Sequence, residues 1–238
     1  MIKMIVFDMA GTTVNENMVV YKTLQKVINE AGFNFTLEQV LTEGAGKEKV
    51  DAIKSILRVY ANQQDDSLTD SIYQHFIALL EKAYDTQEIL PQNNAEELFR
   101  ALKERGILVV LNTGYNEKTA KQLLTKLGWK KGEQFDDLVT ATDVQLNRPS
   151  PDMIRLAMKQ YNITDAREVA KVGDSIIDIE EGANAGCGLN IGITTGAHTK
   201  QQLRTANPDH IIDDLLELLA LTPSPKANPS RVETGISA

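Results

Sequence analysis

Residues 1–13 read MIKMIVFDMAGTT. Residues 2–7 form a short, largely apolar run that stops at Asp8, in a turn rich in glycine and threonine. A run of that length bounded by turn residues predicts a buried strand with Asp8 at its carboxyl end. From residue 15 to residue 90 the pattern is helical throughout. Val20, Leu24, Val27, Ile28 and Ala31 share one face before Gly32. Val50, Ile53, Ile56, Leu57 and Tyr60 share another after Gly44-Ala45-Gly46, and residues 72–84 give a third amphipathic stretch. Beyond Pro91 the pattern alternates: helix 95–105, strand 107–111, helix 117–127, strand 138–140, helix 152–161, strand 169–172, helix 176–185 and strand 189–193. The strands are continuous apolar runs, as in a parallel sheet covered by helices on both faces. The reading is an α/β fold whose doubly wound core comprises residues 1–14 and 91–221. A helical cap domain, residues 15–90, is inserted after the first strand. Residues 222–238, rich in Pro, Ser and polar side chains, predict a flexible tail.

The chain has 238 residues, with 25 Lys and Arg against 33 Asp and Glu, for a formal charge of −8. That length supports a sizeable core without metal or disulfide staples. Cys187 stands alone, so no internal disulfide can form, which fits a reducing compartment. Negative charge disfavours non-specific contact with nucleic acid phosphates, so a protein like this must gather positive charge locally to handle an anion. No apolar run approaches the ~18 residues of a membrane span, and the N-terminal run is too short for a signal peptide. The expectation is a cytoplasmic protein with neither nucleic acid nor membrane as partner.

In open α/β sheets ligands bind beyond the carboxyl ends of the strands. Four polar clusters fall at such ends: Asp8 with Thr12, Asn112-Thr113-Gly114, Asn147-Arg148-Pro149, and Gly173-Asp174 with Asp178. Singly, each has a plain explanation; Asp174 and Thr113 would serve as helix caps, and Asp178 as a solvated helix residue. Together they suit a divalent cation and a phosphoryl group. Hard carboxylate oxygens match Mg²⁺, the Arg148 guanidinium can fork onto phosphate oxygens, and Thr113 with the N–H groups around Gly114 can donate to another.

DMAGTT (8–13), LNTGY (111–115), NRPSP (147–151) and VGDSIIDIEEGANAG (172–186) resemble, in order, the four motifs of the haloacid dehalogenase superfamily. The resemblance spans roughly residues 1–14 and 91–215 and implies a Rossmann-like core with an inserted cap. It also implies that Asp8 is a nucleophile that becomes an aspartyl phosphate, with Thr12, Thr113 and Gly114 near the phosphoryl group. Mg²⁺ would sit on Asp8, the Ala10 backbone carbonyl and Asp174, with Asp178 supporting the metal or its waters.

Two positions depart from the superfamily's phosphatases, which carry an acidic Asp where this chain has Ala10 and a Lys where it has Arg148. Both departures resemble the phosphonoacetaldehyde hydrolase subgroup. There a cap lysine forms a Schiff base with an aldehyde, so that a carbon can leave phosphorus as an enamine. Gly44-Ala45-Gly46-Lys47 matches that subgroup's Gly-x-x-Lys and implies Lys47 as the amine. A position at the start of a helix disfavours ammonium and favours a neutral amine there. Glu43 and Val50 stand where the subgroup has Met and His. The implied substrate is phosphonoacetaldehyde or a related small phosphonate; the alternative is a phosphatase acting on a small phosphate monoester. A homodimer through the cap is implied by the same resemblance. Lys49 and Lys54 read as solvated helix lysines, Cys187 as a small buried residue, and His75, His198 and His210 carry no shared pattern.

Overall fold

The computed structural model describes residues 1–223. In chain order the strands are β1 (Met4–Asp8), β2 (Val14–Asn15), β3 (Leu90–Pro91), β4 (Leu108–Thr113), β5 (Asp137–Thr140), β6 (Val169–Gly173), β7 (Leu189–Ile193) and β8 (His210–Ile212). The helices are α1 (Val19–Glu30), α2 (Leu37–Gly44), α3 (Lys49–Ala61), α4 (Asp66–Thr86), α5 (Ala95–Glu104), α6 (Glu117–Leu127), α7 (Asp152–Gln160), α8 (Ile176–Ala185), α9 (Lys200–Arg204) and α10 (Leu218–Leu221). Six strands form one sheet in the order β5-β4-β1-β6-β7-β8, and every neighbouring pair is parallel. The doubly wound α/β expectation holds.

Alternation along the strands feeds two apolar layers, because successive side chains of a strand point to opposite faces. Ile5, Phe7, Val109, Leu111, Ala170 and Val172 pack with Leu98, Phe99 and Leu102 of α5. Met4, Val6, Val110 and Val139 pack with Met153, Ile154 and Ala157 of α7. All five residues of β1 are buried, as the central strand of a two-sided sheet requires. Register then sets the site. Asp8 pairs with Asn112 across β4 and Phe7 with Val172 across β6, so Asp8, Thr113 and Asp174 emerge at one edge.

Residues 15–90 depart from a purely helical reading at both ends. Val14 pairs with Pro91 and Asn15 with Leu90, antiparallel, so a two-stranded ribbon ties α1–α4 to the sheet. Strands of two residues are too short to show a period of two. Ala31, expected on the buried face of α1, instead caps that helix and is exposed. β8 completes the far edge of the sheet with only three residues, too few to stand out in the sequence. Thr222, read as the start of a flexible tail, is buried: its hydroxyl donates to the Leu218 carbonyl at 2.8 Å, and Arg105 donates to its carbonyl at 2.7 Å. The rest of the expected tail, from residue 224, lies outside the described residues. No helix among the described residues is long and apolar enough to cross a membrane.

Candidate active site

Three carboxylates meet where β1 and β6 end. Asp8 accepts from Arg148 Nη1 at 2.7 Å. Asp174, next after β6, accepts from the Ala197 N–H at 2.6 Å and from the Thr12 hydroxyl at 3.5 Å. Asp178 divides its two oxygens. Oδ2 takes the Ser175 hydroxyl at 2.6 Å, which fixes the start of α8, while Oδ1 faces Arg148 Nη1 at 3.0 Å and Lys171 Nζ at 2.8 Å. One oxygen from each of Asp8, Asp174 and Asp178 lies within 4.8 Å of the other two, and all three residues are buried. Burial and the charge of Asp178 push the Asp8 carboxyl up, and burial and Asp8 push Asp174 well above its usual range. Burial also opposes ionisation of Asp178, but Arg148 and Lys171 outweigh it and hold that carboxyl low. Such a set of hard, crowded oxygens could hold a divalent cation of the Mg²⁺ kind, whose charge would relieve the repulsion between Asp8 and Asp174.

Behind the carboxylates runs a buried ionic network. Lys171, in the middle of β6, is 0% exposed; its Nζ donates to Asn112 Oδ1 at 2.8 Å and lies 3.3 Å from Glu181 Oε2. Arg148 places Nε 3.1 Å from Glu181 and donates through Nη2 to the Asn112 carbonyl at 2.9 Å. Asn112 Nδ2 donates to Glu181 Oε1 at 2.8 Å. Asp178, Glu181 and Asp8 raise the proton affinity of Arg148 against its burial, so it stays charged. The lone cation in the apolar run 169–172 was the signal for this network, since a lysine is almost never fully buried unless paired. The sequence reading passed over it.

Asp8, Ala10, Thr113, Gly114 and Arg148 line one small cavity of about 10 Å³. Thr113 Oγ1 accepts from the Tyr115 N–H at 3.2 Å, which leaves the hydroxyl proton available to a ligand. Thr12 does not reach this cavity; its hydroxyl is turned to Asp174.

The two lysines that flank Glu48 occupy opposite places. Lys47 Nζ donates to Ser55 Oγ at 2.9 Å and pairs with Glu43 at 3.8 Å. It lines an outer groove of about 540 Å³ with Lys54, Arg58 and one side of Arg148, not the cavity that holds Asp8. Burial, assisted by the charge of Arg58, lowers its pKa against the nearby Glu43. Lys49, read from sequence as solvated, is 6% exposed and lines the Asp8 cavity. The reason is where α3 begins. Glu48 is its N-cap, accepting from Val50 N–H at 2.8 Å and Asp51 N–H at 3.2 Å, so Lys49 is the first helical residue and Lys47 falls before the helix.

A family model described as haloacid dehalogenase-like hydrolase matches residues 2–186. The chain belongs to that hydrolase family. Its relatives include a phosphonoacetaldehyde hydrolase of Parabacteroides distasonis, 32% identical over 210 residues, covering 82% of this chain and 76% of the relative. Among solved structures, a phosphonoacetaldehyde hydrolase-like protein from Oleispira antarctica superposes with a TM-score of 0.79 at 21% identity, over 92% of this chain and 91% of that one. A predicted phosphoglycolate phosphatase from Haemophilus somnus superposes at 0.75 with 19% identity, over 93% and 98% of the two chains. Likeness at such identities speaks for the fold alone.

In this haloacid dehalogenase-like hydrolase the structure thus brings Asp8, Ala10, Thr113, Gly114 and Arg148 to one cavity, with Asp174 and Asp178 beside it, and leaves Lys47 and Thr12 outside. Helices α1–α4 sit closely over the sheet edge at two glycines. A Cβ on Gly114 would lie 3.0 Å from the Lys47 carbonyl, and one on Gly46, whose φ is +75°, would run into the Ser175 hydroxyl. Gly46→Ala is therefore expected to hold this approach apart and to lower kcat/KM by about tenfold, the rate equivalent of ~1–2 kcal/mol of backbone strain and contact. Steady-state kinetics alongside an unfolding curve would separate that effect from loss of the fold.

Proposed function

We propose that this hydrolase cleaves the phosphorus–carbon bond of phosphonoacetaldehyde, or of a related small phosphonate bearing a carbonyl, with Mg²⁺ as cofactor. The observation that carries the reading is Ala10 in the Asp8 cavity. An alkoxide leaving group needs a proton donor, a contribution worth roughly 10²–10⁴-fold, and a methyl group cannot supply it. A carbon leaving group needs an electron sink instead, which an imine between a lysine and the carbonyl provides. The name of the 32%-identical relative points the same way.

Asp8, Asp174, Asp178 and the Ala10 carbonyl would hold Mg²⁺, which when bound supplies positive charge to the phosphoryl oxygens. Asp8 attacks phosphorus in line with the departing carbon. Arg148 orients both Asp8 and the phosphoryl oxygens, and the Thr113 hydroxyl and the amides near Gly114 donate to the remaining oxygens. Water then hydrolyses the aspartyl phosphate. Residues 15–90 act as a cap domain that closes over the substrate and excludes bulk water, with the β2–β3 ribbon as its connection to the core.

The test compares phosphate release from phosphonoacetaldehyde and from phosphoglycolate, each with and without Mg²⁺. Release from the phosphonate, dependent on Mg²⁺ and exceeding release from the ester, is the expected result. A preference for the ester makes the protein a phosphatase. In the same preparation, Mg²⁺ at about 100 times its Kd should stabilise the fold by ~2.7 kcal/mol. For a chain of this size that raises Tm by about 5–10 °C, and a chelator should reverse it.

A further inference from the structure

His198 is 3% exposed, and both of its ring nitrogens are engaged. Nδ1 accepts from the Ile176 N–H at 3.0 Å. That bond fixes the tautomer: the ring proton sits on Nε2, which donates to the Leu41 carbonyl at 3.3 Å. Burial lowers the pKa of the ring, in keeping with a neutral imidazole that accepts at Nδ1. Ile176 opens α8, the helix that begins between Asp174 and Asp178, and Leu41 lies in the last turn of α2. The chain that carries this ring also straps the end of β6. The Thr195 hydroxyl donates to the Gly11 carbonyl at 2.6 Å, the Ala197 N–H to the Asp174 carboxylate, and the His198 N–H to the Asp174 carbonyl at 3.1 Å.

The bond to Leu41 stands alone. Among the described residues it is the one hydrogen bond or ion pair that joins residues 19–61, and so α1–α3, to the sheet and its helices. Helix α4 is tied differently, through Glu81 with Lys118, Asp85 with Gln122 and the Tyr84 hydroxyl with that of Tyr115. Around the His198 contact the two sides stand apart. A groove of about 570 Å³ runs between them, lined by Leu37, Glu38 and Leu41 of α2 and by Ala197, Thr199 and Gln202 opposite. One imidazole therefore bridges two regions that otherwise share no polar bond, and its other edge holds the helix start next to two of the crowded carboxylates.

We propose that His198 is a positioning residue through which the seating of α1–α3 and the geometry of Asp174 and Asp178 favour one another. This rests on residues 15–90 acting as a cap and on the three carboxylates as the Mg²⁺ site; it does not depend on which substrate is cleaved. With α2 seated, the Leu41 carbonyl holds Nε2 and so fixes the ring. The fixed ring holds the Ile176 N–H, one of the donors that a helix start leaves without a partner in the helix. The turn that carries Asp174, and the first turn of α8 that carries Asp178, are held with it. When α2 lifts, Nε2 exchanges that carbonyl for water and the ring is free to turn, which slackens its hold on Ile176. Linkage makes the effect reciprocal: whatever orders the two carboxylates steadies the ring and favours the seated α2. Bonds one step behind the ligands tune metal sites in this way. An imidazole suits the task because it is the one side-chain ring that accepts at one edge and donates at another.

Two substitutions separate the two nitrogens. His198→Asn keeps an acceptor near the place of Nδ1 but is too short to reach Leu41, whereas His198→Phe keeps the size of the ring and loses both bonds. Hydrogen exchange of residues 37–46 reads the seating of α2. Mg²⁺ should slow it by about fivefold in the wild type, the ratio that one net hydrogen bond is worth, and should leave it unchanged in His198→Asn. The same variant should raise KM by about fivefold with kcat within about twofold, because saturating substrate restores the seated population. His198→Phe should in addition weaken Mg²⁺ binding, measured by titration calorimetry, by about tenfold or more. An unchanged KM in His198→Asn, or slowing by Mg²⁺ as large as in the wild type, overturns the tie to α2. Mg²⁺ affinity in His198→Phe equal to that of the wild type overturns the hold on α8. Should His198→Phe fail to fold, His198→Asn, which keeps the Ile176 bond, still decides the coupling. KM is read on whichever of phosphonoacetaldehyde and phosphoglycolate the wild type hydrolyses, so a preference for the ester corrects the substrate and leaves His198 in its role. A wild type that binds no Mg²⁺ overturns the metal reading, and this inference with it.

Discussion

Asp8→Asn should end phosphate release, with a loss of roughly 10⁴-fold or more, the scale on which removal of a nucleophile is felt. The fold should survive. An asparagine at this position keeps an oxygen for the Arg148 bond now made at 2.7 Å. It also removes a charge that burial and Asp178 disfavour. A carboxyl whose folded pKa is raised stabilises the native state at low pH and loses that contribution as pH rises through the folded value. The Asp8→Asn protein free of metal should therefore be as stable as wild type in acid and gain on it towards neutral pH. Its Tm rise with Mg²⁺ should shrink, because one of three crowded carboxylates is gone. Phosphate release and Mg²⁺-dependent melting curves check both halves, and activity within tenfold of wild type would remove Asp8 from its role.

The second large effect is on stability. Lys171→Met takes away one of the two cations that neutralise Asp178 and Glu181, at 2.8 and 3.3 Å, and leaves Asn112 Oδ1 without that donor. Breaking a buried pair by removing one partner costs ~3–5 kcal/mol, which for a chain of this length lowers Tm by about 6–20 °C. The pH dependence has a definite sign. Asp178 is held below the usual carboxylate range by Arg148 and Lys171, so its contribution is present at neutral pH and lost as pH falls through the folded value. Without Lys171 that loss should begin at higher pH. Lys171→Met combined with Glu181→Leu removes one charge of each sign and should recover part of the deficit, and a double-mutant cycle measures how much. An unchanged Tm in the single variant would mean that Arg148 alone balances the cluster. The network fixes the Arg148 guanidinium against Asp8, and its removal should also lower kcat through that displacement.

The local order of this protein is written in its sequence. Residues 2–7, 107–111, 169–172 and 189–193 are apolar runs bounded by turns, and β1, β4, β6 and β7 fall on or within two residues of them. Asp8, Thr113 and Asp174 stand out because a polar residue closing an apolar strand is itself a local signal, whereas Arg148 lies in the loop between β5 and α7, not at a strand end, and Asp178 lies within α8. What lay beyond the sequence depended on contacts between distant segments. The β2–β3 ribbon needs residues 14–15 to find 90–91, across four helices. Glu16 looked like one acid among many until α4 and the end of β4 brought Tyr84 and Tyr115 to it. Lys47 and Lys49 carry the same charge two residues apart, so composition and helical pattern could not tell them apart. The Glu48 cap decided between them by starting α3 at Lys49, and the close approach at Gly46 and Gly114 then placed one amine in the cavity with Asp8 and the other in the groove outside. Hydrophobic period and turn chemistry act over a few residues and determine which elements form. The partner of a buried charge is fixed only when the whole chain has packed, because the desolvation that makes such a pairing matter does not exist before then.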